Sequence, residues 1–319
     1  MTGGTGSFGN AFITEALKHD VHKIIVFSRD ELKQFEMRQK YDDDRLSFFL
    51  GDIRDRDRLY RAFDSVDFVI HAAALKQVPA LEYNPLEAIK TNIMGASNIL
   101  DAALDMGVKK VIALSSDKAV NPVNLYGATK LAMEKLFVAG NSYAGNKPTR
   151  FSIVRYGNVA GSRGSVIPFF MEKIRRNESL PITDERMTRF WLTLQSGVQF
   201  VTHSLAAMRG GEIFVPKLPS VKIIDIATAL LSLAHSKGQE LKVTGIRPGE
   251  KLHESLISES ESRTALEYED HYIIKPIFKW WHDDNGNGGR PVPDGFKYSS
   301  DTNTDWLNSE RLREELCRI

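Results

Sequence analysis

Cysteine is nearly missing from this chain. Cys317 is the single one in 319 residues, so no internal disulfide framework and no cysteine-built metal site is expected. An excess of charge is missing as well. Lys and Arg total 42 against 41 Asp and Glu, a formal net charge of +1, which removes the bulk electrostatic case for nucleic acid or an anionic membrane. No apolar run approaches the length of a membrane span, and the first residues do not read as a secretory signal. His19 and His22 in "KHDVHK" have no neighbouring ligand partner and read as a solvated turn, so no metal is expected. There is no internal repeat. These absences lead to the expectation of a cytoplasmic protein, with no membrane or nucleic-acid partner.

The first half alternates strand and helix signals. "HKIIVF", "RLSFFLGD", "VDFVIHAAA" and "KKVIALSS" are short apolar runs, and "TRFSIVRYGNV" is a fifth. Between them lie helical patterns: "AFITEALKH", "RDRLYRAF" and "PLEAIKTNIMGASNILDAALDMG". In the last, Ile89, Ile93, Ala96 and Leu100 recur at helical spacing and Gly107 ends the pattern. Buried strands separated by helices predict an α/β fold, a doubly wound parallel sheet. After about Asn158 the alternation loosens and prolines punctuate the chain. The spacing divides it into a dinucleotide-type core over residues 1–157 and a smaller lobe over 158–319. "EIFVPK" and "IIDIATALLSLAHS", within about 198–235, are expected to return to the sheet. "DDNGNGGRPVPDG", from Asp283, reads as a turn-rich loop.

"TGGTGSFGNAF" sets Gly3, Gly6 and Gly9 at three-residue spacing before a helix. Gly3, Gly4, Thr5, Gly6, Ser7 and Gly9 would let backbone amides approach a pyrophosphate at the helix N-terminus, where the dipole favours negative charge. Such a loop normally follows a strand, yet only Met1 and Thr2 precede Gly3. The central first strand is therefore expected to be missing or truncated, leaving its neighbours unpaired. After the next strand, Ser28, Arg29 and Lys33 suit a ribose 2′-phosphate, so NADP is expected; Asp30 keeps NAD open. In "GDIRD", Asp52 ends the following strand, where a carboxylate could accept from an adenine amino group or cap a helix.

The densest chemistry lies in "LSSDKAVNPVNLYGATK". Two of the nine tyrosines have lysine four residues on, Tyr126 with Lys130 and Tyr143 with Lys147. The second pair sits among Gly and Asn and ends before Pro148, which reads as a loop. Tyr126 instead opens a good helix, where i and i+4 share a face. A cation beside a phenol lowers its pKa from about 10 toward working pH, so Lys130 is expected to tune Tyr126 as a base. Ser116, Asp117 and Lys118 stand just before it.

Together with "GDIRD", "HAAALKQVP", "KTNIMGASN", "VRYGNVAGSRGSV", "DERMTRFW" and "GIRPGEKLHE", these residues resemble an extended short-chain dehydrogenase/reductase. Within it, they resemble the inverting UDP-N-acetylglucosamine 4,6-dehydratases that begin pseudaminic acid synthesis. The likeness is dense from Thr2 to about Glu254. It implies a Rossmann-like core, NADP, UDP-N-acetylglucosamine as partner and homo-oligomers. Tyr126 would take the sugar 4-hydroxyl proton, Lys130 would hold the ribose, and Ser116 would polarise the 4-oxygen. Lys118 would remove the proton on carbon 5, and Asp117 would protonate the departing 6-hydroxyl. The chemistry then asks for a Lys118 pKa lowered from about 10.4 and an Asp117 pKa that is raised. The resemblance also implies that Ile53, Ala72 and Thr91 line the cofactor. Lys76, Asn158, Arg163, Arg189, Arg247 and Glu250 would contact substrate.

Other readings stay open. Related dehydratase/epimerases of capsule or O-antigen synthesis typically replace the tyrosine motif with a methionine-containing one, whereas this chain keeps "NLYGATK". A UDP-sugar 4-epimerase would leave Asp117 and Lys118 without a role. A truncated, non-catalytic nucleotide-sugar binder is the third.

Overall fold

The computed structural model describes residues 1–235, 238–278 and 288–319. The first part of the expected loop from Asp283, up to Asn287, lies outside the described residues. Helices and strands alternate as α1 (Ser7–Ala16), β1 (Ile24–Ser28), α2 (Glu31–Tyr41), β2 (Leu46–Leu50), α3 (Arg56–Phe63) and β3 (Phe68–His71). Then come α4 (Val78–Tyr83), α5 (Pro85–Ala88), a π-helical turn (Ile89–Met94), α6 (Gly95–Asp105), β4 (Lys110–Ser116), α7 (Leu125–Tyr143) and β5 (Arg150–Tyr156). Local chemistry starts the helices: Asp30, Asp55 and Asn124 each accept a backbone amide at the N-terminus of α2, α3 and α7.

β1 and β2 pair in parallel, as do β3 with β4, β4 with β5, and β5 with the strand Ile213–Pro216. Beyond it, His271–Ile274, Ala265–Glu267 and Arg290–Pro291 continue the sheet antiparallel. The expected break at the first strand is smaller than the sequence suggests. Thr2 bridges both Phe27 of β1 and His71 of β3 in parallel. Its amide donates to Ile70 O at 3.0 Å, Gly3 N donates to Phe27 O at 2.9 Å, and Phe27 N donates to Met1 O at 2.9 Å. Three residues thus join the two halves at the end of the sheet where the glycine loop begins. At the opposite end no strand among the described residues lies between β1 and β3, and Phe68 is 52% exposed. The result is a doubly wound, Rossmann-like α/β fold.

One helical expectation changes. Ile89, Ile93, Ala96 and Leu100 recur at α-helical spacing, but the π-turn Ile89–Met94 inserts an extra residue and rotates that face. Thr91 and Asn92 turn inward, and Ile89 is 37% exposed. The bend aims Thr91 at the same space as the glycine loop.

A large core, including Val111, Ile112, Ile153, Val154 and Phe214, sandwiches the sheet. A second core gathers Ile167, Phe170, Trp191, Ile226, Leu230, Leu312 and Leu316. The strand Ile213–Pro216 lies on β5, whereas the helix Ile223–Leu233 packs against the terminal helix Ser309–Cys317. No helix among the described residues is long and apolar enough to cross a membrane.

Candidate active site

A cleft of about 850 Å³ runs along the C-terminal ends of the parallel strands, where open α/β sheets collect their ligands. Gly3, Thr5, Gly6, Ser7 and Gly9 form its floor at the start of α1. Gly3 has φ +68°, and a Cβ there would meet Ala73 N at 2.8 Å. On Gly9, a Cβ would sit 2.2 Å from Gly4 O, so only glycine lets the helix begin this close to its own loop. Gly6 has no such crowding beyond Gly3 O at 3.3 Å, and its amide donates to that same oxygen at 3.0 Å. Gly4 packs away from the cleft, against Val26.

Ser28, Arg29, Lys33, Asp52, Ile53, Ala72 and Thr91 line the same end. Asp30 caps α2 and ion-pairs with Lys33, and that hydrogen bond holds its carboxyl below the usual range. Asp52 is engaged by Arg54 at 2.7 Å and Arg29 at 3.4 Å. Thr91 Oγ1 and Ser115 Oγ are buried with no hydrogen-bond partner, and both residues line the cleft. A glycine loop at a helix start, two basic side chains at the far end and orphaned hydroxyls fit a nicotinamide dinucleotide.

The middle of the cleft holds Ser116, Lys118, Tyr126, Lys130 and Asn158, with Asp117 fully buried beneath. β4 ends at Ser116, and the 3₁₀ turn Asp117–Ala119 follows at once. Gly127 makes room for this turn: a Cβ there would lie 2.1 Å from Lys118 O. Ser116 donates to Asp117 Oδ1 at 2.7 Å. Lys118 Nζ donates to Asp117 Oδ1 and to Asn158 Oδ1, each at 3.0 Å. Hydroxyl, acid, amine and phenol are thus brought together.

Two electrostatic expectations are corrected. Burial works to lower the Lys118 pKa, but the carboxylates of Asp117 and Glu254 outweigh it and push it above the ordinary lysine value. Lys118 therefore rests as an ammonium. For Tyr126, burial raises the phenol, while the Lys118 charge and a Ser116 hydrogen bond pull it down less strongly. The nearby cation is Lys118 rather than Lys130. Lys130 donates to Leu114 O at 2.7 Å, and burial lowers its pKa to about 8 against the opposing Glu134 charge.

Lys76 also lines the cleft, with Nζ on Arg163 O at 3.1 Å. Arg163 lies on the glycine-loop side, its amide bonded to Ser7 Oγ at 3.2 Å and its charge acting on Asp30. Arg189, Arg247 and Glu250 do not line the cleft. Arg189 is 7% exposed and spends its guanidinium on Thr188 O, Leu252 O and Lys251 O, at 2.7, 3.1 and 3.1 Å. Arg247 and Glu250 pair with each other at 2.9 Å.

Glu254 was missed. Its Oε1 lies 3.4 Å from Lys118 Nζ and 3.8 Å from Arg189 Nε, in a side chain 3% exposed. The only signal was its place at the end of "GIRPGEKLHE", more than a hundred residues from Lys118. Tyr156 is a second omission, a cleft residue whose phenol burial pushes upward.

The profile of the family described as polysaccharide biosynthesis protein matches residues 1–276. A UDP-N-acetylglucosamine 4,6-dehydratase (inverting) of Campylobacter jejuni is 55% identical, covering 98% of this chain and 95% of that protein. A UDP-glucose 4-epimerase of Rickettsia felis is 46% identical, over 86% of this chain and 81% of its own length. The X-ray structure of Pen from Bacillus thuringiensis superposes with a TM-score of 0.92 at 35% identity, covering 100% of this chain and 97% of that one. On fold, cleft and similarity alike, the chain belongs to the polysaccharide biosynthesis family of extended short-chain dehydrogenases/reductases.

Proposed function

We propose that the protein dehydrates UDP-N-acetylglucosamine to the 4-keto-6-deoxy sugar nucleotide with inversion at carbon 5, using NADP. Residues 1–157 would hold NADP, and residues 158–319 would hold most of the nucleotide sugar. The observation that carries this reading is the contact between Asp117 and Lys118 beside Tyr126 in one cleft. The name of the Campylobacter relative supports it.

When bound, NADP supplies an acceptor for hydride from carbon 4 and a donor back to carbon 6. Ser28, Arg29 and Lys33 would bind its 2′-phosphate, which Arg29 and Lys33 favour over a bare ribose. Tyr126, reacting as the phenolate, takes the 4-hydroxyl proton, with Ser116 hydrogen-bonded to the same oxygen. Lys118 must then be neutral and Asp117 protonated. A single proton transfer from Lys118 Nζ to Asp117 Oδ1, across 3.0 Å, creates both states together. Lys118 removes the carbon-5 proton, Asp117 gives its proton to the 6-hydroxyl, and water leaves. The pair returns to an ammonium and a carboxylate, and carbon 5 gains a proton from the opposite face as hydride returns to carbon 6, which balances the 4-hydroxyl proton that Tyr126 took.

The Rickettsia relative's name favours a second reading, 4-epimerisation. Incubation with UDP-N-acetylglucosamine and NADP in deuterated water, followed by NMR, decides between them. A 4-keto-6-deoxy product with inverted carbon 5 is expected; interconversion with the galacto isomer alone overturns the proposal.

A further inference from the structure

Lys118 is held by two carboxylates, and the second one has no part in the steps above. Glu254 reaches it from the C-terminal lobe, just before the strand Ser255–Ile257. Its backbone amide is fixed by Ser300 Oγ at 3.0 Å, and Arg189 stands 3.8 Å from the same carboxylate oxygen that faces Lys118. Arg189 in turn grips the carbonyls of Lys251 and Leu252, which sets the path of the loop that delivers Glu254. The other oxygen, Oε2, is buried and has no partner. Asp117 Oδ2 shares that condition.

We propose that Glu254 is a positioning residue for Lys118: with Asp117 it brackets the ammonium, fixes its aim and sets how readily the proton leaves Nζ. The proposal rests on the reading of Lys118 as the carbon-5 base. Its physical basis is that a negative charge 3.4 Å from the ammonium, in a site shielded from water, opposes the transfer from Nζ to Asp117 Oδ1. Protonated Glu254 removes that opposition while still accepting a hydrogen bond. The charges facing Glu254 are Lys118 and Asp117 from the turn after β4, Arg189 from the strand Thr188–Phe190, and Lys251 from its own loop. Burial pushes the Glu254 carboxyl upward, and Asp117 adds to this against the three cations. Each state of Glu254 therefore imposes a different proton balance on the catalytic couple.

The test is competitive acetylation of the intact protein with acetic anhydride across a pH series, read by mass spectrometry at Lys118 against exposed lysines. Glu254→Gln keeps the shape and removes the charge. Lys118 in this variant is expected to label about tenfold faster at pH 8, with kcat changing its pH profile and KM within about twofold. A rise below threefold overturns the proposal. Should Glu254→Gln fail to fold, Glu254→Asp draws the charge back by one methylene, and at least a threefold rise is expected by the same criterion. If the wild type labels as described yet dehydrates nothing, the functional reading fails while the influence of Glu254 on Lys118 stands.

Discussion

Among the described residues, Arg155 and Lys118 each stand between two carboxylates, and the two trios are built differently. In the interior, Arg155 donates to Glu134 through Nε and Nη2 at 2.9 and 2.6 Å, and to Glu261 at 2.9 and 3.1 Å. Its Nη1 also reaches Leu256 O at 3.0 Å. Every carboxylate oxygen there has a partner. At the cleft, Lys118 meets Asp117 and Glu254, and each acid keeps one buried oxygen without a partner. A planar guanidinium satisfies two carboxylates at once, and an ammonium on a flexible stem does not. The closed trio ties α7 and β5 to the 3₁₀ turn Glu259–Thr264. The open one leaves two buried oxygens without a hydrogen-bond partner in the protein.

This contrast makes Lys118→Ala the variant with the largest expected effect. Dehydration should fall by about 10²–10⁴-fold, the range of a lost general base, while cofactor binding stays nearly intact. Loss of cofactor binding in a titration would show that the open trio is structural after all. Arg155→Met should act the other way round. Removing one partner of a buried ion pair costs about 3–5 kcal/mol, because two carboxylates are left uncompensated. Denaturant unfolding should show that loss, and it should exceed the loss for Lys118→Ala. Equal losses would erase the distinction.

The smallest expected effect is in the pH dependence of stability, where the two trios should run in opposite directions. Burial would raise Glu261, but Arg155 wins and holds its carboxyl below the usual value. Its contribution is present above the unfolded pKa and is lost as pH falls through the lower folded value. Glu254 is raised by burial, so folding favours its protonated form and its contribution fades as pH rises from the unfolded value of about 4.5 through the folded one. Glu261→Gln should therefore lose stability relative to wild type near neutrality and recover in acid. Glu254→Gln should gain, within about 1 kcal/mol, as pH rises above 4.5. Unfolding curves at several pH values check both signs; parallel slopes would contradict the pKa directions.

Much of the site was readable from local spacing. Gly3, Gly6 and Gly9 mark a helix beginning on its own loop, a constraint that a few consecutive residues impose. Tyr126 and Lys130 share a helix face because 3.6 residues make a turn. The division of labour between the lysines was not readable, because Leu114 O captures Lys130 and Lys118 becomes the cation beside Tyr126. Arg189 read as an anion binder by residue type, yet three carbonyls take its donors. The π-turn escaped because a 3.6-residue pattern has no term for one inserted residue, and it is this turn that faces Thr91 to the cleft.

Sequence by itself determined the alternation of strands and helices, the glycine floor of the cleft and the grouping of Ser116, Asp117, Lys118 and Tyr126. All of these depend on short-range backbone geometry. Only the tertiary structure decided the charge environment of that group. Glu254 stands against Lys118 across 136 positions of chain, and Glu261 meets Arg155 across 106. Electrostatic interaction depends on distance in space and on exclusion of water, and neither is written in the order of residues.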